Sequence, residues 1–136
     1  MFQTDNLSHT DALKVIAPIQ AKLEKESKGA AVAVTDAHGE LIAFLRTDGC
    51  PLASINSAIN KAFTAARERK PSRAVGDASR NENFPLTNFG DPRYIGWGGG
   101  VPITSKGKVI GAVGVSGLPE TEDMELAQLG ASSISS

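Results

Sequence analysis

The chain has one cysteine, one tryptophan, one tyrosine and two histidines among its 136 residues, and no long apolar run. Each scarcity removes a class of protein. A lone Cys50 cannot close an internal disulfide, so a cross-linked secreted scaffold is excluded and a reducing, cytoplasmic setting is expected. No stretch approaches the roughly 20 apolar residues that cross a bilayer, and "MFQTDNLSHTDALK" lacks the basic-then-apolar layout of a signal peptide. No membrane association is expected. Excess charge is missing too: 14 Lys and Arg against 15 Asp and Glu leave a net charge of -1, with no basic stripe for nucleic acid. The local cluster Arg67, Arg69, Lys70, Arg73 reads as a solvated helix end. His9 lies in a helix cap region and His38 in the hairpin turn "DAHGE", so neither belongs to a ligand-spaced metal cluster with Cys50.

What is present fits a single domain over residues 1–136 with its own core. From Ser8, "SHTDALKVIAPIQAKLEKES" places Leu13, Ile16, Ile19 and Leu23 at helical spacing behind a Ser/Thr/Asp cap, with Gly29 as its stop. Pro18 is expected to kink or weaken this helix. "AAVAVTD" and "ELIAFLR" flank "AHG" as a hairpin of two largely buried strands. Ile55, Ala58, Ile59, Ala62, Phe63 and Ala66 then form the most regular helical stripe in the chain. A loop region from Lys70 to Trp97 follows, with a short helix near Arg73 to Ser79. "GVPIT" and "KVIGAVGVSG" make a second hairpin, and "PETEDMELAQLG" a last helix, its acidic residues at the positive end of the dipole. Helices alternating with antiparallel hairpins indicate an α/β (α+β) layered domain, not a run of βαβ units.

Glycine is plentiful where it costs most. In "NFGDPRYIGWGGGVPI", Asn88 to Ile103, three consecutive glycines follow the only tryptophan, and glycine loses more conformational freedom on folding than any other residue. A phosphate loop is excluded, because neither GxxxxGK[ST] nor GxGxxG is present and a strand, not a helix, follows. The glycines serve either a bulge ahead of the strand or the close approach of a ligand or neighbouring backbone. Lys61 falls well off the apolar stripe of its helix, which by pattern alone makes it a surface lysine. Arg46 and Asp48 close the second strand as "RTDG", which is turn chemistry or one lip of a pocket. Ser116 ends a strand in "VSG".

Taken together, "AVAVTDAHGELIAFLRTDGC", "SINSAINKAFTAAR", "GGGVPI" and "GKVIGAVGVSG" resemble, in this order, the GlcG/HbpS family, a group also recognised in the C-terminal domain of PduO-type proteins. The resemblance covers roughly Ala30 to Ala127. It implies a profilin-like α-β-α layered domain with a five-stranded antiparallel sheet, the fifth strand lying between Arg80 and Trp97, assembled as a homo-oligomer. It implies haem or another tetrapyrrole as the small-molecule ligand. The residues that carry it are Asp36, Gly39, Asp48, Gly49, Lys61, Ala62, Gly99, Gly100, Pro102, Gly111, Gly114, Ser116 and Gly117. Lys61 becomes a site candidate on this ground alone.

Two functional expectations follow. In the first, a ligand approaches Gly99 and Gly100, with Ser116 and Gly117 nearby. Tyr94 and Trp97 stack on it, Lys61 and Arg93 pair with its carboxylates, and His9 or Cys50 ligates the iron if haem is bound. In the second, a cofactor-independent enzyme acts on a small organic acid: Arg46 and Arg93 orient the carboxylate, Asp48 or Asp91 moves protons, and Lys61 acts as acid, base or electrostatic stabiliser.

Overall fold

A computed structural model describes residues 1–136 as four strands and four α-helices in three layers. Helix α1 (His9–Lys25) starts where the Ser8 hydroxyl accepts the Asp11 amide at 3.1 Å, a side-chain cap for one of the helix's unpaired donors. It runs unbroken through Pro18. The ring sits at a half-exposed position, where water can serve the carbonyl that loses its partner, so the expected break does not occur. Its buried stripe is Ala12, Val15, Ile16, Ile19 and Leu23; Leu13, expected inside, is exposed.

Strands β1 (Ala31–Asp36), β2 (Leu41–Arg46), β3 (Gly100–Ser105) and β4 (Lys108–Ser116) form one antiparallel sheet in the order β2-β1-β4-β3. The sheet has four strands, not five. Residues 80–97, where a fifth was expected, hold the end of α3 (Ser72–Glu82), a 3-10 turn at Leu86–Phe89 and a non-regular segment. β2 is an edge strand and only half-buried, in contrast to fully enclosed β1. Its continuous apolar run signals edge position as readily as burial on both faces.

Alternation along the two central strands sorts large from small side chains. Val32 and Val34 of β1 and Val113 and Val115 of β4 face α1 and α4 (Glu120–Ser132), building the main core with Ile16, Ile19, Leu23 and Leu126. On the opposite face Ala31, Ala33 and Ala112 meet α2 (Ser54–Glu68) through Ala58, Ala62, Ala65 and Ala66. Small residues on both sides let α2 lie close to the sheet. Gly114 takes this to its limit: a Cβ there would press on the backbone of Ala58 and Ala62.

Candidate functional site

Lys61 is not a surface residue. The far face of α2, which periodicity assigned to solvent, lies under the Gly98–Gly100 segment, so the second half of the helix is buried nearly all round. Only 3% of Lys61 is exposed, and its ammonium donates to the Val115 carbonyl at 3.0 Å and to Asp123 Oδ2 at 3.3 Å. The glycine run makes the tunnel for this side chain. A Cβ on Gly99, held at φ +127°, would strike the Lys61 side chain and the Val115 carbonyl; one on Gly100 would strike the Lys61 backbone. The close approach that the glycines allow is therefore between parts of the chain itself.

Two hydroxyls tie this segment down. Ser72 Oγ donates to the Trp97 carbonyl at 2.7 Å and accepts from the Gly100 amide at 2.9 Å, clamping the glycine run from both ends. Thr64 Oγ1 of α2 does the same for the stretch just before it, donating to the Arg93 carbonyl and accepting from the Ile95 amide.

Asp123 comes from the first turn of α4. Its Oδ1 accepts the Leu118 amide at 3.1 Å, and burial pushes its carboxyl up from the ordinary 3.8 against the opposing pull of Lys61. Glu120, one turn earlier, moves the other way. Its Oε1 accepts the Gly98 amide at 2.7 Å and the Arg73 guanidinium at 3.0 Å, and these donors hold it below its ordinary value. Lys61, Asp123 and Glu120, with Ser54, Ser116, Gly117, Leu118 and the exposed Trp97, line an open cavity of about 360 Å³.

The other expected residues do not join this group. Arg46 and Asp48 line a separate cleft with Leu23, Lys28 and Thr47. Arg93 lies over the Phe63 ring, 4.0 Å from its centroid, with its guanidinium on Asp91 at 2.9 Å and Glu40 at 3.1 Å. The Arg93 side chain donates two hydrogen bonds to Asp91, which hold that carboxyl low. Tyr94 stacks on Phe89 at 4.2 Å and meets Phe63 edge-on at 5.1 Å. Asp91, Arg93 and Tyr94 thus find their partners within the protein and do not line the Lys61 cavity. Of the aromatic loop only Trp97 does. His9 is exposed at the start of α1, and Cys50 is half-buried, with burial raising its thiol.

A third cleft, of about 590 Å³, lies where the N-terminal segment crosses the two hairpin turns, and Phe2, His38, Arg69, Lys108, Val109 and Ile110 are among its walls. His38 is the imidazole that turn chemistry had set aside. The turn is rigid, since Asp36 Oδ1 accepts the His38 amide and the His38 carbonyl accepts Arg67 Nε, both at 2.9 Å.

With this geometry, the HbpS-like family model, described as "Haem degrading protein HbpS-like", matches residues 7–132. The chain belongs to the HbpS-like family. Protein GlcG of Escherichia coli K12 is 35% identical over 111 residues, covering 81% of each chain. Klebsiella pneumoniae protein ORFY superposes with a TM-score of 0.91 at 26% identity, over 98% of this chain and 93% of its own. A double mutant of Streptomyces reticuli HbpS gives 0.89 at 29% identity, over 100% of this chain and 92% of its own. The motifs that carry the resemblance thus sit on the elements just described. Asp123, Ser72 and Thr64 escaped the sequence reading: Asp123 was absorbed into an acidic first turn, and a lone hydroxyl on a helix gives no signal.

Proposed function

We propose that this HbpS-like protein binds haem, or a closely related tetrapyrrole, in the cleft of about 590 Å³ beside His38. The observation that carries the reading is the chemistry of that wall. A tetrapyrrole is flat and apolar with acidic side chains, and this cleft sets one imidazole and the two cations Arg69 and Lys108, against the single carboxylate Asp5, around the apolar Phe2, Val109 and Ile110. By contrast, no His, Cys or Tyr lines the Lys61 cavity. His38 would hold the iron, Arg69 and Lys108 would pair with the propionates, and Phe2 would cover one face. Bound haem would supply redox-active iron, and the chain would supply its donor and the apolar shelter.

Hemin titration tests this. A Soret shift is expected with the native protein and with His9→Ala and Cys50→Ala, and its loss with His38→Ala. A spectrum no different from that of hemin with a control protein would end the reading, and retention of the shift in His38→Ala would move the iron elsewhere.

The half-exposed edge strand β2 favours self-association as well. Its outer backbone groups have no strand partner, and its side chains from Leu41 to Leu45 are apolar. The occupant proposed for this edge is a second copy of the chain.

A further inference from the structure

Lys61 is used by none of the haem chemistry, yet it is the one buried amine and it forms part of a cavity wall open to solvent. We propose that the Lys61 cavity is a second ligand site, independent of haem, that captures a small neutral aldehyde or ketone as an imine on the Lys61 amine. Three observations carry this.

The first is charge. Lys61 is paired with Asp123 and Glu120 with Arg73, so an incoming carboxylate finds no free cation and two carboxylates beside it, while a neutral carbonyl oxygen meets Lys61 and the hydroxyl-bearing Ser54 and Ser116. The second is shape. About 360 Å³ between Trp97 and Leu118 admits a short carbon chain beside a polar end. The third is the proton partner. Asp123 lies 3.3 Å from Lys61 Nζ in a site where both side chains are at most 4% exposed, and its raised carboxyl makes it a better base for the ammonium proton than an exposed aspartate.

The step balances within the site. Lys61 passes one proton to Asp123, and its freed nitrogen lone pair adds to the carbonyl carbon. The carbonyl π pair moves to oxygen, which takes the proton back from Asp123. A second nitrogen proton then passes through Asp123 to the new hydroxyl, which leaves as water while the nitrogen lone pair forms the carbon–nitrogen double bond. The product is a protonated imine facing an ionised Asp123, so the buried pair keeps its net charge. No buried charge is created or stranded, and that would otherwise be the main cost of chemistry at such a site.

Trapping with propanal and sodium cyanoborohydride, followed by peptide mass mapping, tests this on the native chain. Lys61 is expected to acquire a propyl group about 10²-fold faster than the exposed Lys14 and Lys25, the usual contribution of a positioned acid–base partner. Glyoxylate, an anionic aldehyde, is expected to label it more slowly than propanal. Lys61 left unlabelled, or labelled no faster than Lys14 and Lys25, overturns the proposal without reference to any variant. Asp123→Asn should abolish the rate advantage and flatten its pH profile; an unchanged profile in the folded variant would remove Asp123 from the step. Hemin binding is read separately at the Soret band, so failure of either site leaves the other standing.

Discussion

At the scale of single residues, the glycines of the Gly98–Gly100 run are sites of steric exclusion. Gly100→Ala would place a methyl group against the Lys61 carbonyl and 2.9 Å from Ser72 Oγ, and both neighbours are fixed by their own hydrogen bonds. Overpacking of this kind costs about 1–3 kcal/mol. Urea unfolding should therefore show a lower midpoint with an unchanged slope. Two neighbouring carboxylates also respond to acid with opposite sign. Glu120 is held below its ordinary 4.5 by the Gly98 amide and Arg73, so its contribution is complete above that value and is lost as pH falls through the lowered one. Asp123 lies above its ordinary 3.8, so its contribution shrinks as pH rises from that value towards the raised one. Glu120→Gln is expected to flatten the acid limb of a plot of Tm against pH; a limb as steep as the native one would show that the Gly98 contact does not matter to stability.

At the scale of elements, legibility in the sequence follows how local the determining forces are. Both hairpins, α1, α2, α3 and α4 could be read because periodicity, caps and turn residues act within a few positions. The four-strand count could not, since nothing between Arg80 and Trp97 says locally that proline-punctuated chain will lie across α2 rather than join the sheet. Lys61 shows the same limit from the other side. Its helical phase was read correctly, but the identity of its outer neighbour depends on a segment more than thirty residues away, Gly98–Gly100. Residues 91, 93 and 94 were chemically suggestive and turn out to be mutually satisfied: a guanidinium on a carboxylate and an aromatic stack. Composition marks such residues as capable of binding, and only the fold says to what.

At the scale of the whole molecule, the sheet is closed unequally. The β3 edge is touched by the C-terminus, where the Ser136 amide donates to the Thr104 carbonyl at 3.0 Å, while the β2 edge has no strand beside it. Pairing through β2 predicts that light scattering returns a multiple of the 14.2 kDa chain mass. Leu41→Lys, at a position 47% exposed, is expected to lower that multiple without changing the far-UV circular dichroism. A native protein that runs as a single chain would dismiss β2 as a self-association surface.

The only tryptophan stands at the mouth of the Lys61 cavity with 62% of its surface in water, held there by the Ser72 clamp on its carbonyl. The molecule's emission is therefore dominated by one indole at one doorway. Whatever enters beside Leu118 and Glu120 displaces water from that ring and moves its colour, so traffic through the cavity is visible in unlabelled protein.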